Sequence, residues 1–227
     1  MTPARIAIIA ALPREIAALV RGHAPDRELL RRGIHLYRLP QAIVASAGMG
    51  AERATLAVQA ALAAAPVATL ISVGLAGSCT PGLRPGDLAE AVTVIDVKTG
   101  ERFFTDAPQG IVLVTADTIA GIEEKHRLAA AYQADLVDME AATVARLAAA
   151  NGLRLRAIKA VSDGHLFELP ALNQFTGRHG SFRVGAFALH VALRPRLWSR
   201  AAQLGRDSNR ALAVLTERLQ QVLRDES

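Results

Sequence analysis

Apolar residues along this chain fall into short runs, and two spacings alternate. Arg5 to Ala11 is a near-continuous β-branched and small run through Ile6, Ile8 and Ile9, as in a strand buried on both faces. Similar runs cover Gln41–Ala47, Val67–Val73, Ala91–Val97, Gly110–Thr115 and Leu153–Val161, while Ile34–Leu39 alternates like a half-exposed strand. Between them lie stretches of helical period. These are Ala51–Ala64, the polar Glu123–Tyr132 with His126 expected to face solvent, and a run from Ala141 through Val144, Leu147 and Ala148. A short strand is expected at Arg102–Phe104 after a turn at Thr99-Gly100, and residues 165–185 read as irregular. The tail predicts a helix from about Arg183 to Leu193, a break at Pro195, and a long helix to about Arg224. Strands alternating with helices predict an α/β fold. It is expected as one three-layer α/β/α domain over residues 1–227, with a central mixed twisted sheet and an Arg-rich helical tail from about residue 194.

Composition narrows the classes. A chain of 227 residues with 51% hydrophobic residues can bury one large core. The net charge is +5, with Arg194, Arg196, Arg200, Arg206 and Arg210 in the tail, a stripe that could meet nucleic acid, an anionic membrane or a phosphate. Aromatic residues make up only 4%, which leaves few stacking platforms for single strands, so the stripe reads as a solvated helix face and no nucleic-acid partner is expected. Cys79 is the sole cysteine, which excludes an internal disulfide and a cysteine-rich metal site, and no metal or other cofactor is expected. No run approaches the roughly 18 apolar residues of a membrane span, and the first apolar run is too short for a signal sequence, so the expected location is the cytoplasm.

Carboxylates at strand ends are the candidate chemistry. Val137-Asp138-Met139-Glu140 stands before the helix that begins at Ala141. Either its acids serve the helix start, or one is a clamp that accepts two hydroxyl hydrogen bonds, as the diol of a ribose would offer. Glu15 follows Leu12-Pro13-Arg14 in the first turn of a helix that Pro13 starts, at the C-terminal end of a strand where open α/β sheets bind ligands. It too is open to a plain reading, as a surface acid favoured by the helix dipole. Asp163 ends the run Lys159-Ala160-Val161-Ser162, where an Asx-turn or cap is the plain alternative. Two glycine-rich stretches, Gly48-Met49-Gly50 and Gly74-Leu75-Ala76-Gly77-Ser78, are expected as loops, the first aiming a helix N-terminus at an anion.

Four stretches taken together resemble the purine nucleoside phosphorylase and nucleosidase superfamily, in particular bacterial 5′-methylthioadenosine/S-adenosylhomocysteine nucleosidases. They are Ile8–Glu15, Ser46–Gly50, Val73–Gly77 with Pro85-Gly86-Asp87, and Val137–Ala141 with Val161-Ser162-Asp163. The resemblance implies cleavage of the N-glycosidic bond of a 5′-substituted adenosine. It implies that Glu15 activates the attacking water, that Asp163 protonates purine N7, and that Glu140 accepts the ribose diol with Met139 packed on the sugar. It also implies substrate contacts at Ser162, Ser46, Gly48, Gly74, Ala76 and Ile119, the last where the family has a stacking Phe, and it implies a homodimer. Two departures stand out: Leu75 where the nucleosidases have Ser, and Lys159 where they have Arg. The segment between Val97 and Ile111 is also short, which leaves room for an altered 5′ group.

The chain is also similar to hopanoid-associated phosphorylases, which carry an apolar residue in the same loop and an Arg- and Pro-containing tail like Leu193-Arg194-Pro195-Arg196. That likeness implies phosphate as co-substrate, an adenosylated hopanoid as substrate, and Arg14, Arg53 and Lys159 as candidate phosphate contacts. A nucleoside-binding protein without catalysis is the remaining alternative.

Overall fold

The computed structural model describes residues 5–168 and 194–225. The strands are β1 (Arg5–Ala10), β2 (His35–Arg38), β3 (Ala42–Ser46), β4 (Val67–Ser78), β5 (Leu88–Asp96), β6 (Arg102–Phe104), β7 (Ile111–Thr115), β8 (Leu136–Asp138) and β9 (Arg154–Asp163). The helices are α1 (Pro13–Ile16), α2 (Arg27–Arg31), α3 (Ala51–Ala64), α4 (Ile122–Tyr132), α5 (Ala141–Ala150) and α6 (Pro195–Asp225). The helix expected over 183–193 lies outside the described residues, and the expected long tail helix starts at Pro195, as proline's fixed φ allows at a first turn.

All strands among the described residues join one mixed sheet in the order β2-β3-β1-β4-β8-β7-β5-β6, and β9 pairs with both β4 and β5. The strands β4, β8, β7, β5 and β9 thus close on one another in a ring. Pairings β1 with β3, β1 with β4, β4 with β9, and β7 with both β5 and β8 are parallel. β2 with β3, β4 with β8, β5 with β6, and β5 with β9 are antiparallel.

β4 is the axis of this arrangement. Its alternating and continuous apolar residues bury it from Leu70 to Val73, as expected of a strand covered on both faces. It then runs on through Gly74-Leu75-Ala76-Gly77-Ser78, which the sequence suggested would be a loop. The glycines there are demanded by side chains crossing the strand, as shown below. Between Ala76 and Gly77 the register with β9 slips, so Gly77 faces Asp163 and Ser162 is the extra residue. Such a bulge re-aims side chains at a strand end.

Apolar faces complete the layers. α3 and α5 bury alanines and valines (Ala54, Ala57, Val58, Ala61, Ala141, Val144, Ala145, Ala148) against Ala7, Ile9, Ile43, Leu70 and Ala157 on one face. On the other face, Ala211, Leu215, Leu219 and Val222 of α6 recur at helical spacing and pack on Ile8, Ile71, Val73, Ile158 and Ala160. α4 covers a third cluster with Leu128 against Ile95, Val114 and Val137. Three strand ends, those of β1, β8 and β9, and the far part of β4 therefore open into one place.

Candidate active site

That place is a cleft of about 540 Å³, with Arg14, Glu15, Met49, Leu75, Ala76, Gly77, Ile119, Lys125, Asp138, Met139, Glu140, Ser162 and Asp163 in its walls. α6 closes one side with Ala201, Leu204, Gly205 and Ser208.

Glu15 is held by backbone alone. Its Oε2 accepts from the amides of Ala11 (3.0 Å) and Leu12 (2.8 Å), and its Oε1 accepts from the amide of Leu75 (3.1 Å). Pro13 starts the helix, and Glu15, two residues on, turns its side chain back onto the amide of Leu12 as in a capping box. Glycine at residue 74 leaves room for the carboxylate against β4. A Cβ there would sit 3.0 Å from Oε1, and the φ of +143° disfavours any side chain. Burial raises the Glu15 pKa above the ordinary carboxylate value, against the opposing pull of the Leu12 and Leu75 amides, Lys159 and Arg14. A buried carboxylate of raised pKa is a stronger base than an ordinary one.

Asp138 and Glu140 divide the two roles the sequence left open. Asp138 Oδ2 accepts from the amide of Ala141 (3.0 Å), the first residue of α5, and Oδ1 accepts from Thr115 Oγ1 (2.7 Å). It serves the helix start. Glu140 faces the cleft, and its Oε1 accepts from the amide of Gly50 (2.7 Å) at the N-terminus of α3. Burial, and then the neighbouring Asp138 charge, push the Glu140 pKa up to about 8.

The candidate phosphate contacts separate. Arg14 lines the cleft. Lys159 is fully buried, 2.8 Å from Asp138 Oδ2 and donating to Ser72 Oγ at 3.0 Å. Burial alone would lower its pKa, but Asp138 and Glu140 outweigh that and raise it. It is a counter-ion beneath the acids. Arg53 donates to the carbonyls of Ala47 and Gly33, away from the cleft.

Of the other expected contacts, Met139, Ala76, Ile119 and Ser162 line the cleft. Gly74 underlies Glu15. Gly48 takes φ +124° in the turn after β3. Ser46 is fully buried, and its hydroxyl has no hydrogen-bond partner within the protein.

Asp163 closes the third corner. Ser162 Oγ donates to its Oδ1 at 2.6 Å, and the Nζ of Lys125 donates to its Oδ2. Lys125 was not legible in the sequence. It sits in Glu123-Glu124-Lys125-His126-Arg127, where every neighbour suits a solvated face, yet it is 1% exposed while His126 faces solvent.

Besides Asp138 at the helix start, three carboxylates from distant parts of the chain thus ring one cleft, two of them bound to backbone amides. The family model of the phosphorylase superfamily matches residues 5–108 and 98–191, most of the chain. The chain belongs to the phosphorylase superfamily. Membership makes it an enzyme of the nucleosidase or nucleoside phosphorylase kind, with a small nucleoside as substrate. A search of curated proteins returns no match.

Solved structures share the fold. 5′-Methylthioadenosine nucleosidase of Arabidopsis thaliana superposes with a TM-score of 0.73 at 16% identity, over 99% of this chain and 96% of that one. The 5′-methylthioadenosine/S-adenosylhomocysteine nucleosidase of Neisseria meningitidis, solved with methylthio-immucillin-A, gives 0.70 at 17% identity over 98% and 100%. Futalosine hydrolase of Helicobacter pylori gives 0.68 at 18% identity over 99% and 98%. Among the described residues no helix is long and apolar enough to cross a membrane.

Proposed function

We propose that the enzyme hydrolyses the N-glycosidic bond of an adenine nucleoside whose 5′ position carries an apolar substituent. Water attacks C1′ and gives a proton to Glu15. The electrons of the C1′–N9 bond leave with adenine, and N7 takes a proton delivered by Asp163. Both groups then exchange protons with bulk water, so one water is consumed and adenine and a free sugar are released. Glu140 accepts from the ribose hydroxyls, and the Glu15 carboxylate stabilises the cationic sugar of the transition state.

Water is favoured over phosphate by one observation. The amides a phosphate would need are already taken by carboxylates: those of Ala11, Leu12 and Leu75 by Glu15, and that of Gly50, at the start of α3, by Glu140. An incoming phosphate would meet two acids where helix and loop amides usually receive it. Arg14 is the one cation among the former phosphate candidates that reaches the cleft, and it supports phosphorolysis as the second reading. The apolar 5′ group is supported by Leu12, Met49, Leu75, Ile119, Ala201 and Leu204 in the walls. An adenosylated hopanoid would satisfy that requirement as well as a small alkylthio group.

The deciding experiment follows adenine release from 5′-methylthio- and longer 5′-alkyl-adenosines in phosphate-free buffer, then after phosphate addition, with the sugar identified by mass. Turnover without phosphate, giving a free reducing sugar, is expected. Turnover only after the addition, with a sugar 1-phosphate as product, would replace hydrolysis by phosphorolysis. Tight nucleoside binding with no adenine released under either condition would make the protein a binder.

A further inference from the structure

Lys125 is a buried charged group at the cleft for which the three-carboxylate scheme has no task. Its ammonium is 1% exposed, far from the usual fate of a lysine on a polar helix. It has three N–H donors, and the structure uses all three: on Asp163 Oδ2, on the carbonyl of Gly164 (2.9 Å) and on the carbonyl of Phe167 (3.2 Å). β4 makes room for this contact. A Cβ on Gly77 would stand 3.1 Å from both Lys125 Cε and Asp163 Oδ2, closer than ordinary contact, so glycine lets the pair meet across the strand without shifting either side chain. The nearby Cys79 thiol, pushed up to about 12 by burial, stays neutral and leaves Lys125 as the charge facing Asp163.

We propose that Lys125 is a positioning residue for departure of the base. It rests on the hydrolytic reading above, in which Asp163 delivers the proton. Ser162 and Lys125 grip one carboxyl oxygen each, so the group cannot rotate, and its remaining lone pairs are presented to the cleft at one fixed angle. The same ammonium stabilises the carboxylate that remains once the proton has gone to N7, without reorganisation at the moment of transfer. By holding the Gly164 and Phe167 carbonyls it also pins the turn beyond β9 beside which the base would lie.

The test separates this role from plain support of the fold. Lys125→Met, Asp163→Asn and the double variant are compared on a 5′-alkylthioadenosine and on 4-nitrophenyl ribofuranoside, whose phenolate departs without protonation. For Lys125→Met, kcat for adenine release should fall about 10²-fold, the scale of a general-acid contribution, with KM little changed. Release of 4-nitrophenolate should stay within a few-fold of the parent enzyme. The double variant should be no slower than Asp163→Asn alone, because the two residues act through one proton. It also removes the half-buried carboxylate that the single variant leaves without its counter-ion, so its melting temperature should recover.

Equal losses on both substrates, multiplying losses in the double variant, or full adenine release by Lys125→Met would each overturn the positioning role. Parent enzyme inactive on both substrates would overturn the hydrolytic reading, and the role of Lys125 with it. Parent activity on both with an unaffected Lys125→Met would overturn the role of Lys125 alone.

Discussion

Glu140 shows how much one residue can ask of its surroundings. Its carboxyl is buried beside Asp138, and its pKa of about 8 stands well above the ordinary 4.5. The folded protein therefore keeps a proton that the unfolded chain has lost at intermediate pH. Stability from this group is fully present at and below pH 4.5, declines as pH rises to about 8, and is level beyond. Glu15, also raised by burial, acts in the same direction. The melting temperature of the ligand-free protein, measured from pH 5 to 9, should fall less steeply in Glu140→Gln than in the parent. Parallel profiles would show that Glu140 titrates alike in both states. The sequence made this residue a candidate because two acids before an alanine-rich helix need separate explanations. It did not say which acid served the helix, since that depends on Thr115 and Lys159, remote in sequence. Lys125 was hidden for a related reason: its meaning lies 38 residues away in Asp163.

At the level of elements, β4 carries the site. The strand periods and most helix spans were legible, because apolar runs of β-branched residues fix them. The extension of β4 through residues 74–78 was not, because two glycines ordinarily interrupt a strand. Here each glycine marks a side chain crossing close over the backbone: Glu15 at Gly74, and Asp163 with Lys125 at Gly77. Gly74→Ala should push Glu15 off the Leu75 amide. A displacement of that kind can cost about 10²-fold in kcat, and adenine binding by calorimetry should suffer less. Gly100→Ala is the control. Its φ of +73° is also positive, but no atom lies within 4 Å of the added Cβ, so it should lower the melting temperature and spare kcat. Equal kcat losses in both variants would show that backbone strain, rather than the contact with Glu15, matters.

For the molecule as a whole, α6 is both wall and buttress. Its first half offers Ala201, Leu204 and Ser208 to the cleft, and its second half inserts Ala211, Leu215, Leu219 and Val222 beneath the sheet. Leu215 is fully buried about two turns beyond Ser208. Leu215→Ala should cost roughly 2–5 kcal/mol in urea unfolding while the folded fraction keeps its kcat. A kcat that fell with stability would mean that the two halves of α6 do not behave independently. The long Arg-rich helix was evident from the sequence, but not that it lines the cleft, because a helical period reveals an apolar face and not what covers it.

The backbone grip on the two glutamates also bears on how the chain comes together. Glu15 waits for an amide 60 residues downstream, and Glu140 for one 90 residues upstream. Contacts so distant in sequence close large loops and form late, after the local helices have paid their own entropy. A chain emerging from the ribosome therefore carries Glu15 beside a strand of isoleucines, with no amide from β4 yet to receive it. The acids that would act on a nucleoside fall into place only when the sheet is nearly complete, so a half-made chain has no reactive cleft to offer.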